Sequence, residues 1–187
     1  KMIIIGITGT LGSGKGTVVK YLKDKHGFKH YSSSGFINEE VIRRGLPVNR
    51  DNQRIVANEL RATHGGGYVA EQLYARAAAA GGNSVIESLR STGEIETLRK
   101  LDQPFYLLAV DADQKTRYDR IIQRGSAKDD ITYEHFQEQE QKELNDTKAG
   151  GMQLLACIRL ADAHVENNGD LEALHAQIDK IIAPLLK

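Results

Sequence analysis

The run Met2-Ile3-Ile4-Ile5-Gly6-Ile7, followed after Thr8 by Gly9-Thr10-Leu11-Gly12-Ser13-Gly14-Lys15-Gly16-Thr17, decides how this chain is read. An apolar run bounded by glycine is a buried strand. Behind it, glycines recur at positions 9, 12, 14 and 16. They let the backbone curl so that successive N–H groups point into one concavity. A helical pattern from Val18 to Lys25 opens directly behind the turn, and a helix N-terminus adds partial positive charge at the same place. A concavity of this kind takes a phosphate group. Lys15 supplies a point charge for terminal phosphates, and a nearby hydroxyl helps order Mg²⁺. The usual pattern sets Ser or Thr directly after the lysine, whereas here Gly16 intervenes and Thr17 carries the hydroxyl. A turn that only joined a strand to a helix would leave Lys15 unexplained.

Working outward, strand candidates alternate with helical patterns. Phe28–Ser32 reads as a second strand, and Ser33-Ser34-Gly35 starts a helix over Phe36–Arg44 that ends at Gly45-Leu46-Pro47. Asn49 and Asp51 are caps for a helix from Asn52 to His64, stopped by Gly65-Gly66-Gly67. Tyr68–Ala80 is helical, Asn83–Glu87 a third strand and Phe105–Val110 a fourth. Helices over Gln114–Arg124 and Thr132–Asn145 follow, with a polar segment between them. Ala163–Asn167 is the fifth strand, and Asp170 caps a last helix from Leu171 to about Ile182. Strands separated by helices imply a parallel sheet covered on both faces. The expected fold is a three-layer α/β/α sandwich in a single domain, with phosphate bound at the carboxyl ends of the strands.

The 187 residues carry 25 Lys plus Arg against 25 Asp plus Glu, so no whole-chain field favours nucleic acid or an anionic membrane. One cysteine, Cys157, sits in an apolar helical stretch and excludes an intrachain disulfide, which fits a reducing, cytoplasmic compartment. The Met2–Ile7 run is far too short to span a bilayer.

Among proteins with such a loop, the guanine motif Asn-Lys-x-Asp is missing here, and the length leaves no room for a motor core. A kinase needs a second phosphate site, a carboxylate near Mg²⁺ and a basic lid. Glu87 ends its strand, ahead of Ser88-Leu89-Arg90. Its carboxylate is placed to order a magnesium water or the acceptor, with Arg90 reaching the acceptor phosphate. Asp111 and Asp113 form a rival strand end and read as loop and cap residues. Arg117, Arg120 and Arg124 share one helical face, an arrangement suited to a polyphosphate. Gly125–Asp130 reads as a mobile lid that excludes water during transfer. Asn167-Asn168-Gly169 is a turn whose backbone can pack against adenine. The histidines show no metal-ligand spacing.

Together these residues resemble the P-loop nucleoside monophosphate kinase superfamily. Gly14-Lys15-Gly16-Thr17 is similar to the loop of adenylate kinases, and 161–172 is similar to the end of dephospho-CoA kinases. Across nearly the whole chain it looks like small archaeal proteins described as adenylate-kinase-related or dephospho-CoA-kinase-like. They share Arg44-Gly45-Leu46, Glu59-Leu60-Arg61, the Glu87–Arg90 turn, Arg124-Gly125 and Glu143-Leu144. The resemblance implies an acceptor site between Ser33 and Arg61, including Ser34, Gly35, Arg61 and Arg90, within a helical insert of about 33–80. It also implies a lid of about 125–146. Such kinases usually carry Asp at 87, Gly at 88, an arginine near Asn38, and arginines at Gln139, Gln141 and Lys142, where this chain departs from them.

The expected activity is an ATP- and Mg²⁺-dependent kinase acting on a small nucleotide acceptor. Lys15, Arg120, Arg124 and Glu87 form its catalytic set, with Gly9 to Thr17, Arg120 and Asn168 on ATP and Thr17 and Glu87 on the metal. Dephospho-CoA kinase is the enzymatic alternative, in which Glu87 serves as base toward a hydroxyl. A nucleotide-binding regulatory protein is the non-enzymatic one, favoured by the missing arginines. No nucleic acid or membrane partner is expected.

Overall fold

The computed structural model describes residues 1–125, 131–144 and 153–187. Five strands, β1 (Ile4–Gly9), β2 (Lys29–Ser32), β3 (Ser84–Glu87), β4 (Phe105–Asp111) and β5 (Ala163–Glu166), form one parallel sheet in the order β2-β3-β1-β4-β5. The sandwich read from the sequence is the fold observed. Every residue of β1 is buried, as a central parallel strand requires when both faces and both edges are covered. Its alternate side chains feed two cores. Ile5 and Ile7 join Val85, Leu108 and Val165 beneath α1 (Lys15–His26) and α9 (Leu171–Ile182). Ile4 joins Ile86 and Leu107 on the other face. That face is covered by α2 (Ser33–Arg43), α3 (Arg50–His64), α4 (Tyr68–Ala80), α5 (Thr92–Arg99) and α8 (Leu154–Arg159). Gly6 has no side chain because a Cβ there would lie 2.7 Å from the Phe105 ring and 2.9 Å from Leu89.

The two remaining described helices, α6 (Gln114–Arg124) and α7 (Tyr133–Leu144), lie beside the loop that follows β1. Helix α1 begins at Lys15, three residues before the apolar pattern suggests, because Gly14 turns the chain with φ 95° and the glycine-rich stretch itself becomes the first turn. Asn49 and Asp170 cap α3 and α9 through their side chains, as their positions predict. Asp113 occupies the N-cap position of α6 but makes no side-chain cap bond. Helix α5 was not anticipated. Its start is a capping box, in which Ser91 Oγ accepts from Glu94 N and the Glu94 carboxylate accepts from Ser91 N.

The order of strands makes β1 the switch point. The chain leaves β1 toward β2 on one side and later crosses to β4 on the other, so the crevice opens at the carboxyl end of β1. Glycines at 9, 12 and 14 fall there.

Two expected outcomes follow from the packing. Cys157 is fully buried, and burial together with the Glu94 charge pushes its thiol up to about 12. At pH 8 the thiolate fraction is then roughly 10⁻⁴, so a chromogenic disulfide reagent should leave the folded protein untouched over minutes and titrate one thiol after denaturation. Asp179 of α9 accepts hydrogen bonds from Lys25 and Tyr21 of α1, with His26 on its other oxygen. Lys25 chiefly holds its carboxyl down to about 2 from an ordinary 3.8. A depressed carboxyl stabilises the fold above its ordinary value and loses that contribution as pH falls toward the folded one. Because the group is partly solvated, the contribution is at most about 1 kcal/mol. Asp179→Asn should therefore flatten the stability profile between pH 4 and 2, as measured by urea denaturation.

Candidate functional site

The loop after β1 is built by steric exclusion. A Cβ on Gly9 would sit 2.1 Å from the Val110 carbonyl oxygen, one on Gly12 2.6 Å from the Arg117 carbonyl oxygen, and one on Gly14 2.2 Å from Asn167 Nδ2. All three have φ between 78° and 145°. Gly16 differs, because a Cβ there meets no protein atom within 4 Å. Inside the loop, Lys15 Nζ donates to the carbonyls of Gly9 at 2.9 Å and Thr10 at 2.8 Å. Thr10 Oγ1 donates to Asp111 Oδ1 at 2.9 Å, which places Asp111 as a tie on the loop. Thr17 is half-buried in the first turn of α1. Ser13 Oγ, on a fully buried residue, and Arg120 Nη1 are both buried with no hydrogen-bond partner among the described residues. A buried polar atom left unpaired costs free energy. Both lie around this loop, Arg120 through its bond to Asn167.

Glu87 ends β3 directly beside β1, in register with Ile7. Its Oε2 lies 2.7 Å from Nε2 of His30, from the neighbouring strand β2, and Ser88 Oγ donates to Oε1 at 3.4 Å. The His30 hydrogen bond chiefly holds the carboxyl below its ordinary value of 4.5, with help from the charge of Lys15. The carboxylate and the loop lysine thus share one mouth of the sheet. Histidine spacing gave no hint of His30, because only the β2–β3 pairing brings it to Glu87. Ser88 is the one described non-glycine residue with positive φ, at 68°, and it stands where the sequence resemblance expects glycine.

The arginines of α6 divide. Arg117 departs from the polyphosphate reading: it is 5% exposed, its Nε donates to the Ala112 carbonyl at 2.8 Å, its Nη1 donates to the Leu11 carbonyl at 3.2 Å, and it pairs with Glu140 of α7. A guanidinium so enclosed has been desolvated by protein and points at the loop's outside. Arg120 lies a turn further on and donates Nη2 to the Asn167 carbonyl at 2.7 Å. Arg124 is exposed at the end of α6. Asn168 is turned away from the loop, accepting from Asp113 N at 2.7 Å and donating to Glu166 Oε1 at 2.9 Å. Its neighbour Asn167, which the turn reading did not single out, touches the loop by donating to the Ser13 carbonyl at 2.9 Å.

On the acceptor side, Ser32 caps α2 by accepting from Gly35 N, while Ser34 Oγ lies 3.0 Å from Ser32 Oγ. Ser33, buried between them, donates to Glu94. That carboxylate is only 3% exposed and also accepts from Arg90 N and Ser91 N, both at 3.0 Å. The charges of Arg61 and Glu94 both act on Cys157. Ser33 and the Arg90 backbone, flanking the expected acceptor residues, therefore meet on one buried carboxylate, and Arg61 lies nearby. Glu94 was missed with α5, although Ser91-Thr92-Gly93-Glu94 carries the capping-box pattern. The segment 126–130 expected as the lid, and residues 145–146, lie outside the described residues.

A UPF0200 protein of Thermococcus kodakarensis is 32% identical over 190 residues, covering 99% of this chain and 98% of the relative. The chain belongs to the UPF0200 family. Another UPF0200 protein, from Pyrococcus abyssi, is 32% identical over 189 residues, covering 98% and 97%. A family model described as AAA domain matches residues 5–146. Among solved structures, TT1252 from Thermus thermophilus superposes with a TM-score of 0.65 at 22% identity, covering 98% of each chain. A shikimate kinase from Acinetobacter baumannii in complex with shikimate gives 0.63 at 15%, covering 100% of this chain and 94% of that one. These likenesses speak for the fold. With the loop and the sheet order, they show that this UPF0200 chain has the three-layer P-loop fold that kinases such as these also have. Among the described residues no helix is long and apolar enough to cross a membrane.

The left-handed turn at Ser88 yields a stability test. That conformation costs an L-residue about 1–2 kcal/mol, whereas glycine adds about 0.5–1 kcal/mol of unfolded-chain entropy. Ser88→Gly should therefore raise stability by about 0.5–1 kcal/mol, seen as a higher urea midpoint at unchanged m-value.

Proposed function

We propose that this protein transfers the terminal phosphoryl group of ATP to a small nucleotide, with Mg²⁺. One observation carries the reading: Lys15 Nζ is clasped by the Gly9 and Thr10 carbonyls inside a loop that excludes side chains at 9, 12 and 14, with the Glu87 carboxylate at the same mouth. The residues fit a nucleotide. Ser13 Oγ and Arg120 Nη1 are donors without acceptors among the described residues, and a Cβ at Gly16 would meet no described atom within 4 Å. Among the described residues no cluster of three His, Cys, Asp or Glu stands ready to hold a metal, which suits magnesium that arrives on phosphate oxygens and keeps several waters. Thr17 Oγ1 would hold it directly and Glu87 through water. When bound, it neutralises charge building on the phosphates.

The chain's own residues do the rest by position and charge. Lys15 leaves its carbonyl clasp for the β- and γ-phosphates, exchanging neutral acceptors for anionic ones. The first-turn amides of α1 face the same anion. Arg120 and Arg124 stabilise the transferring group, since phosphoryl transfer depends almost entirely on positioning and electrostatics. Ser34, Gly35, Arg61 and Arg90 hold the acceptor within the insert of about 33–80. A phosphate acceptor is already ionised, so no base is needed and a nucleoside monophosphate is the favoured substrate.

A hydroxyl acceptor, as in dephospho-CoA, is the second reading. It is favoured by Glu87, a partly buried carboxylate kept ionised by His30, which is placed as a base.

A coupled ADP-release assay with ATP and Mg²⁺ against nucleoside monophosphates, deoxynucleotides and dephospho-CoA tests both readings. Strong stimulation by a monophosphate is expected. Stimulation by dephospho-CoA alone selects the second reading, and ATP binding without stimulation by any acceptor overturns transfer. Arg124→Ala should lower turnover roughly 100-fold or more while changing ATP affinity little, and unchanged turnover would remove Arg124 from the mechanism.

A further inference from the structure

Peptide planarity lets the outside of the loop dictate its inside. In a trans peptide the carbonyl of one residue and the N–H of the next point in opposite directions, and the described chain has no cis peptide. Two loop carbonyls are gripped from outside by side chains. The Leu11 carbonyl accepts from Arg117 Nη1 at 3.2 Å, and the Ser13 carbonyl accepts from Asn167 Nδ2 at 2.9 Å. The amide protons of Gly12 and Gly14 belong to those same two peptides, so they face away from the grips.

Both grips are themselves fixed. Arg117 is 5% exposed and Asn167 7%. Arg117 also donates to the Ala112 carbonyl and pairs with Glu140, which in turn accepts from Gln114 Nε2 at 2.5 Å. Asn167 donates its N–H to the Asp111 carbonyl at 2.8 Å and accepts from Arg120 through its own carbonyl. Gly14 completes the fit, since only glycine leaves room for Asn167 Nδ2 there.

We propose that Arg117 and Asn167 are positioning residues that set the Leu11–Gly12 and Ser13–Gly14 peptides, and so aim two amide protons at the phosphates of a nucleotide. The proposal rests on the loop being a nucleotide-phosphate site, and it adds two residues that never touch the nucleotide. Through Glu140 it also joins α7 to the loop: Arg117 is the single side chain between the Glu140 carboxylate and the Leu11 carbonyl. A pair that served only to pack α6 against α7 would have no effect on individual loop amides.

Asn167→Asp keeps the size of the side chain and removes its amide donor. Arg117→Lys keeps the charge but offers no fork to span Leu11, Ala112 and Glu140 together. In the full chain, calorimetry with ATP and with inorganic tripolyphosphate would be read beside the backbone amide spectrum. Folded Asn167→Asp should bind both probes roughly 10-fold or more weakly, as expected for losing a hydrogen bond to a charged group. It should also lose the tripolyphosphate-induced downfield shift of the Gly14 amide. Arg117→Lys should do the same at Gly12. If one variant fails to fold, the other still reads its own amide. Wild-type affinities and shifts in a folded variant would overturn the proposal while leaving the phosphotransferase reading intact. A wild-type chain that binds neither probe would overturn both. Binding without acceptor-stimulated ADP release would overturn the transfer reading alone, with the positions of Arg117 and Asn167 still supported by the amide shifts.

Discussion

The architecture depends on one constraint: a strand buried on all sides must still release its chain at one end. Along Ile4–Gly9 every backbone group can pair with β3 or β4, and every side chain is covered. Past Gly9 the pairing stops while the surroundings remain enclosed, so the peptide groups that follow need partners of their own. Carbonyls find them in Lys15, Arg117 and Asn167. On the reading proposed above, the Gly12 and Gly14 amides, opposite the carbonyls held by Arg117 and Asn167, face the opening beside the positive end of α1. The proposed phosphate site is thus a consequence of terminating a central parallel strand with glycines, with Lys15 as its charge.

The two edges of β1 then divide the work. On the β4 and β5 side stand Asp111, Asn167 and Arg117, each hydrogen-bonded to the loop, and Arg120, which donates to the Asn167 carbonyl. On the β3 and β2 side stand Glu87 with His30, and beyond them the Glu94 hub that gathers the starts of α2 and α5. Glu87 lies at the boundary, close enough to feel Lys15 and held ionised by a histidine from the adjacent strand. Donor and acceptor sides of a transfer reaction can be assembled on separate walls because the switch point puts a crevice between them.

What the sequence made legible followed from local chemistry. The apolar run, the glycine turn, the caps at Asn49 and Asp170 and the helix ends read at Arg44, His64 and Ala80 each depend on near neighbours in the chain; two of those ends fall as read, and the first falls one residue earlier, at Arg43. Helix α5 escaped because it is short and its apolar positions, Ile95 and Leu98, are few. The capping pattern of Ser91 and Glu94 was the available clue. Contacts between distant segments were not legible in this way. His30 meets Glu87 across 57 residues, Asn167 meets Ser13 across 154, and no spacing rule reaches so far.

Arg117 shows why the same pattern can conceal different chemistry. Helical spacing puts Arg117, Arg120 and Arg124 on one face, and by local rules they are equivalent. The sheet makes them unequal. The first lies against the loop at the end of β1 and is sealed in by α7, so its charge is spent on Glu140 and two carbonyls. The second reaches the turn after β5 and keeps one buried nitrogen without a partner among the described residues. The third stands at the exposed end of the helix. Desolvation therefore rises along the face toward the loop: a fully enclosed guanidinium holds protein in place, whereas the partly enclosed and incompletely paired one is the guanidinium to which the proposed transfer assigns a phosphate.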